Sequence, residues 1–395
     1  MSRSRLAKLS HEQLLEFAVD ACESSPELKN KADALIAKVA PLPSWCVDIL
    51  LSPDLLPQLF SSLGLSEHAA AGVCTTWSRA YSRQLRRCRY VDPRRERQLA
   101  DVPESPNGLC MLPGGVLAIT SCDHGSKSSV QFVAAHNDTE PQALAACRAS
   151  SLAARRFGWL MGLAHTNDGL LVNSCQRQYS NDPPAALHKF AKDDSMDLLA
   201  TVPVLTDYER GLMQIAVHQQ TQRTYGIVGE PWRNAMVLLD ADLQIITTVE
   251  TVEAEQHWQD MPIRGVAVHG DQVIVLTSQS HPEGSGLRLL DLDGRFLRTI
   301  AADLFQNAQA VAASHGRAFV VDYDDGYKDD DDDDGPGLVL HVVDIRSGDI
   351  LQGVPLAELP GGDSTITILV DGDDIYITDF GTSTVVVLRI AGSEA

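Results

Sequence analysis

Three carboxylates, Glu230, Asp322 and Asp379, stand at the ends of short apolar runs, where a hard divalent cation would find oxygen ligands. Asp322 is followed by Asp324, Asp325 and six consecutive aspartates, Asp329–Asp334. Adjacent carboxylates repel one another, and Gly326, Gly335 and Gly337 loosen the same stretch. The run therefore reads as a solvated acidic loop, not as ligands converging on a cation. His124, His165 and His281 have no nucleophile beside them in the pattern, and neither a GxSxG elbow nor an HExxH helix occurs. No catalytic residue, metal ligand or cofactor is assigned on these grounds, and the chain is not expected to be an enzyme. The eight cysteines (Cys22, Cys46, Cys74, Cys88, Cys110, Cys122, Cys147 and Cys175) lack CxxC or other metal-ligand spacing. They read as reduced, buried thiols of an intracellular protein, cytoplasmic or nuclear.

Charge narrows the choice of partner. The net charge of −21 over 395 residues is unevenly spread: residues 1–100 carry +3 and the remainder −24. So acidic a surface repels phosphate, which argues against a nucleic-acid groove. Seven arginines between Arg83 and Arg97 form a basic run (Arg83, Arg86, Arg87, Arg89, Arg94, Arg95 and Arg97). With only Tyr81 and Tyr90 among them, they read as a solvated helix face and not as a stacking platform for bases. No apolar run reaches the roughly 18 residues of a membrane span, and no apolar stretch follows Met1–Ser10 as a secretory signal requires.

Two kinds of element must position these residues. Up to about residue 92 the apolar periodicity is helical. Residues 1–40 form a first helical segment, which Pro41 and Pro43 end, and residues 41–92 form a second, small all-α module. In it Ser52 and Pro53 suit a cap and first turn, and Leu55, Leu56, Leu59, Phe60 and Leu63 share one stripe.

From there to residue 395 the period is two, and the pattern repeats. Apolar pairs of runs begin near residues 108, 160, 212, 265, 310 and 365. Each continues with a third strand and usually a fourth, as in Ala235–Leu239 with Gln244–Val249 and Gly286–Leu290 with Phe296–Ile300. Four strands per unit at this spacing predict an all-β six-bladed propeller over residues 93–395. The sixth unit stops at three strands, and Gln98–Val102 is the expected donor of its missing outer strand.

Two resemblances attach to these elements. Residues Leu51 to Leu63, with the later Val73, Cys74 and Trp77, resemble an F-box: a proline precedes LLxxLFxxL, and VCxxW follows on a later helix. Ser52 stands where that family usually carries leucine. The resemblance implies that Pro53, Leu55, Leu56, Leu59, Phe60, Leu63, Val73, Cys74 and Trp77 dock a Skp-type adaptor of a cullin ubiquitin ligase. The Tyr376–Asp379 segment is similar to an NHL-type propeller repeat, in which the aspartate is structural.

In a propeller the loops between second and third strands gather on one face with those that lead into each first strand. Here they bring Tyr208, Arg210, Trp232, Arg233, Trp258 and Tyr323, types enriched at binding hot spots, to the face expected to hold a target protein. The expected role is substrate recognition within a ubiquitin ligase complex, without nucleic acid or membrane. Two other readings compete. One is a calcium-dependent lactonase or esterase, as some six-bladed propellers are, using Glu230, Asp322 and Asp379. The other is a plain scaffold whose helices pack on the ring.

Overall fold

The computed structural model describes residues 91–121, 128–136, 139–150, 152, 159–175, 185–191, 196–203, 212–230, 233–250, 262–278, 285–324, 337–356, 359 and 366–390. The chain enters with strand β1 (Val91–Gln98). Blade I follows as β2 (Pro106–Leu112), β3 (Val116–Ser121) and β4 (Ser129–Ala134), then helix α1 (Pro141–Ala149). Blade II is β5 (Trp159–Thr166), β6 (Gly169–Cys175), β7 (Ala186–Ala191) and β8 (Leu198–Pro203). Blade III is β9 (Leu212–His218), β10 (Arg223–Glu230), β11 (Arg233–Leu239) and β12 (Ile245–Glu250). Blade IV is β13 (Ile263–His269), β14 (Gln272–Thr277), β15 (Gly286–Asp291) and β16 (Phe296–Ile300). Blade V is β17 (Ala308–Ser314), β18 (Arg317–Asp324), β19 (Gly337–Asp344) and β20 (Ile350–Pro355). Blade VI is β21 (Ile366–Asp371), β22 (Asp374–Asp379) and β23 (Thr384–Ile390), completed by β1.

Each sheet is antiparallel, and its first strand packs on the first strand of the next blade. The contacts run β2 to β5, β9, β13, β17, β21 and back to β2, so the ring is closed and six-bladed. The apolar side chains fill six wedges, one between each adjacent pair of blades. This explains the continuous apolar runs of the second strands. Both faces of β3 and β6 are buried against neighbouring blades, and every residue in them is buried. Outer strands have fewer neighbours, and Leu198 and Leu199 of β8 remain exposed.

Closure differs from the sequence expectation in register. The strand that completes blade VI is Val91–Gln98, pairing Val91 with Ile390 and Gln98 with Val386, and not Gln98–Val102. A segment reading VDPRRERQ has no period-two apolar pattern. Its placement is set by Val91, 2% exposed in the wedge between blades V and VI, and by Gln352. The Gln352 amide donates to the Val91 carbonyl (2.9 Å) and accepts from its N–H (2.7 Å).

Among the described residues blade I has three strands, without the fourth that most units carry. In place of a fourth strand, α1 lies against β4, begun by Pro141 and ended where the Ser150 hydroxyl donates to the Cys147 carbonyl. The Arg148 guanidinium donates to the Phe132 carbonyl of β4 (3.0 Å), so helix and side chain cover the sheet edge. Among the described residues no helix is long and apolar enough to cross a membrane.

Candidate functional site: the loop-bearing mouth of the ring

The two faces of the ring are built differently. On one, first and second strands join through short turns such as 270–271, 315–316 and 372–373. On the other lie the strand ends joined by the longer connections: 176–185 and 325–336 between second and third strands, and 204–211 and 251–262 into the first strands of blades III and IV. The inner strands begin at this second face, and five of them are irregular there.

Pairing skips a residue in β2 between Pro106 and Leu109, and in β5, β9, β13 and β17 at Met161, Met213, Arg264 and Gln309. Each is a β-bulge, which adds one residue and re-aims its side chain. The bulges stand at one level of the ring, because the following residues approach one another closely. A Cβ on Gly108 would lie 2.9 Å from the Met161 carbonyl and 3.2 Å from the Gly162 Cα. A Cβ on Gly265 would lie 2.9 Å from the Val311 side chain and 3.4 Å from the Gln214 amide oxygen. The sequence signal is a recurring small residue (Gly108, Gly162, Gly265, Ala310) just after the bulge; the residue before it was not singled out above.

Polar groups at this level staple the blades. The Asn107 amide donates to the Leu160 carbonyl (2.9 Å), and the Asn173 amide to the Leu212 carbonyl. The Cys175 thiol donates to that same carbonyl at 3.1 Å. The Ala308 N–H donates to the Ser278 hydroxyl (2.7 Å). The side-chain oxygens of Asn107 and Asn173 are buried without a partner. Gln309 donates from its amide to Asn307. Arg264 is half-buried, its buried Nε has no partner, and burial lowers its guanidinium pKa.

Of the three carboxylates of the hydrolase reading, Asp379 ends β22 and Asp322 lies two residues before the end of β18, and both are already engaged. Asp322, 2% exposed, accepts from the N–H groups of Gln306 (2.9 Å) and Asn307 (2.7 Å), and His341 lies 3.6 Å away. Asp379, 1% exposed, accepts from the Gly381 N–H and the Thr382 hydroxyl, both at 2.9 Å. Both carboxylates brace backbone segments beside them. Glu230 ends β10 opposite Arg233. Among the described residues no group of three or more His, Cys, Asp or Glu is placed to hold a metal ion.

Of the expected target-binding residues, Arg233 opens β11 on the loop-bearing side. Tyr323 is corrected: it is 5% exposed in the wedge between blades V and VI, a packing residue and not a docking one. Tyr208, Arg210, Trp232 and Trp258 lie outside the described residues, as do His124, His281, Asp329–Asp334 and all the adaptor-directed residues from Pro53 to Trp77. The thiols of Cys110 and Cys175 are buried and Cys147 is half-buried, all three unbridged. Burial, with Asp371 nearby, pushes the Cys110 thiol up to about 12.

The turn face carries histidines at corresponding places in successive blades. His218 and His269 end β9 and β13, and His315 occupies the turn after β17. Burial lowers the pKa of all three. At the closing junction His136 lies 3.2 Å from Asp374 and 3.2 Å from the Tyr376 hydroxyl, joining blade I to blade VI.

The described part of this chain is thus a six-bladed β-propeller closed by its own N-terminal strand. The sequence matches no protein-family model and no curated protein. Among solved structures it is similar to the Dos1 propeller, at 10% identity over 78% of this chain and 97% of that one, TM-score 0.41. It is also similar to the PQQ-bound aldose sugar dehydrogenase of Streptomyces coelicolor, at 13% identity over 74% of this chain and 96% of that one, TM-score 0.45. A Bacteroides thetaiotaomicron protein of unknown function gives 10% identity over 74% and 72%, TM-score 0.47. Identities this low concern the course of the backbone and not the chemistry.

Proposed function

We propose that the chain is a non-catalytic recognition subunit, whose propeller holds a target protein on its loop-bearing face while the F-box-like segment binds a Skp-type adaptor of a cullin ubiquitin ligase. The observation that favours recognition over hydrolysis is the engagement of Asp322 and Asp379 by neighbouring turns. A carboxylate that already accepts two local hydrogen bonds would have to surrender them to bind calcium. The gathering of the longer loops on one face supports a binding surface there.

The adaptor step rests on the sequence resemblance at Leu55, Leu56, Leu59, Phe60, Leu63, Val73, Cys74 and Trp77. The expected result is co-purification of the full chain with a Skp-type adaptor, lost in Leu56→Asp or Trp77→Asp while the far-ultraviolet spectrum of the ring is unchanged. Absence of adaptor binding at about micromolar concentration, a range in which specific complexes form, would sink the ligase role.

A further inference from the structure

The geometry points to Arg264 as the anion-holding side chain of a small-carboxylate site on the ring axis, at the loop-bearing mouth. Its place in the strand is the first reason. Ile263 and Val266 pack in the wedge between blades III and IV, and Ala267 in the wedge between blades IV and V. The residue inserted by the bulge belongs to neither wedge, and an inner strand has the axis as its remaining side.

The second reason is its lack of a partner. Of the half-buried and buried arginines described, Arg223 pairs with Asp293, Arg317 with Asp344 and Arg389 with Asp374, and Arg288 donates to Thr299. Arg264 makes no ion pair or hydrogen bond among the described residues, in a chain with 53 acidic residues. Arg264 is half-buried, and burial of its Nε without a partner carries a desolvation cost that the oxygen of a ligand would offset.

Its neighbours define the ligand. Gly265 leaves the space that a Cβ would take from the Gln214 amide, and Gln309 on the next inner strand is also an amide. A single guanidinium among uncharged amides suits one carboxylate, gripped by two parallel N–H donors, with a hydroxyl of the ligand answered by the amides. A phosphate dianion would need more cations or a nest of backbone N–H groups than the described residues of this rim provide. A small hydroxycarboxylate is therefore the class of ligand, a role beyond the capture of a target protein.

The test is calorimetric titration of the full chain with malate, with inorganic phosphate and glycerol as controls. Malate is expected to bind the wild type, and Arg264→Met to lose that binding while unfolding in urea no earlier than the wild type. Arg264→Lys keeps the charge but not the fork, and should bind malate about tenfold or more weakly, the loss of a charge-assisted hydrogen bond. The proposal is overturned if malate does not bind the wild type, if Arg264→Met binds it equally, or if phosphate binds as tightly as malate. If Arg264→Met does not fold, unchanged affinity in Arg264→Lys overturns it.

Discussion

His269 offers a sharp quantitative test of how the turn face holds neighbouring blades together. Its Nε2 accepts the Gly316 N–H at 3.0 Å, tying the turn of blade IV to that of blade V. An imidazole can accept there only while that nitrogen is unprotonated. Burial, reinforced by His315 and Arg317, pushes its pKa down from 6.5 to about 4. The folded state therefore binds fewer protons at this site than the unfolded chain. Stability contributed by the neutral ring is complete above the unfolded value of 6.5 and falls as pH drops toward 4. Between about pH 7 and pH 5 the loss comes to roughly 2 kcal/mol.

Replacement by glutamine removes the titration and keeps an oxygen able to accept from Gly316. Urea unfolding of wild type and His269→Gln at both pH values isolates the site together with its coupling to His315, because His218 and Asp371 titrate alike in the two proteins. The variant should lose about 2 kcal/mol less than the wild type on acidification. Equal losses in both would refute the assignment of a neutral, accepting imidazole.

Two further outcomes follow from the inner rim. Gly265→Ala places a methyl 2.9 Å from the Val311 side chain and 3.1 Å from its backbone nitrogen, so its urea midpoint should fall by the equivalent of about 1–3 kcal/mol; an unchanged midpoint would show that the inner strands are not so closely seated. Asp322→Ala leaves the N–H groups of Gln306 and Asn307 without their acceptor, and should cost about 2–4 kcal/mol. Unchanged stability together with a fall in bound calcium would reassign Asp322 as a metal ligand.

Much of the ring was legible because its information is local. A second strand of a blade is buried on both faces whatever its neighbours are, so runs such as Val116–Ser121 and Gly169–Cys175 announce themselves. Turns such as His315–Gly316, with φ of 51° and 72°, mark the hairpins between them. Helix α1 lies outside the sequence expectation because its apolar stripe is a single short one, Ala143, Leu144 and Cys147, which packs on the wedge between blades I and II, while Arg148 ties it to β4.

What the sequence determined by itself is the repeat: six units, four strands in most of them, and a shortfall in the last that its own N-terminal side must supply. Pattern and turn chemistry suffice for that, because each blade is a local hairpin array. The tertiary structure decided which strand closes the ring, since Val91 is chosen by a wedge between two other blades and not by its own neighbours. It decided also that Asp322 and Asp379 brace neighbouring backbone, while Arg264 has no acidic partner among the described residues. A side chain's partner depends on which blade stands beside it, and only ring closure settles that.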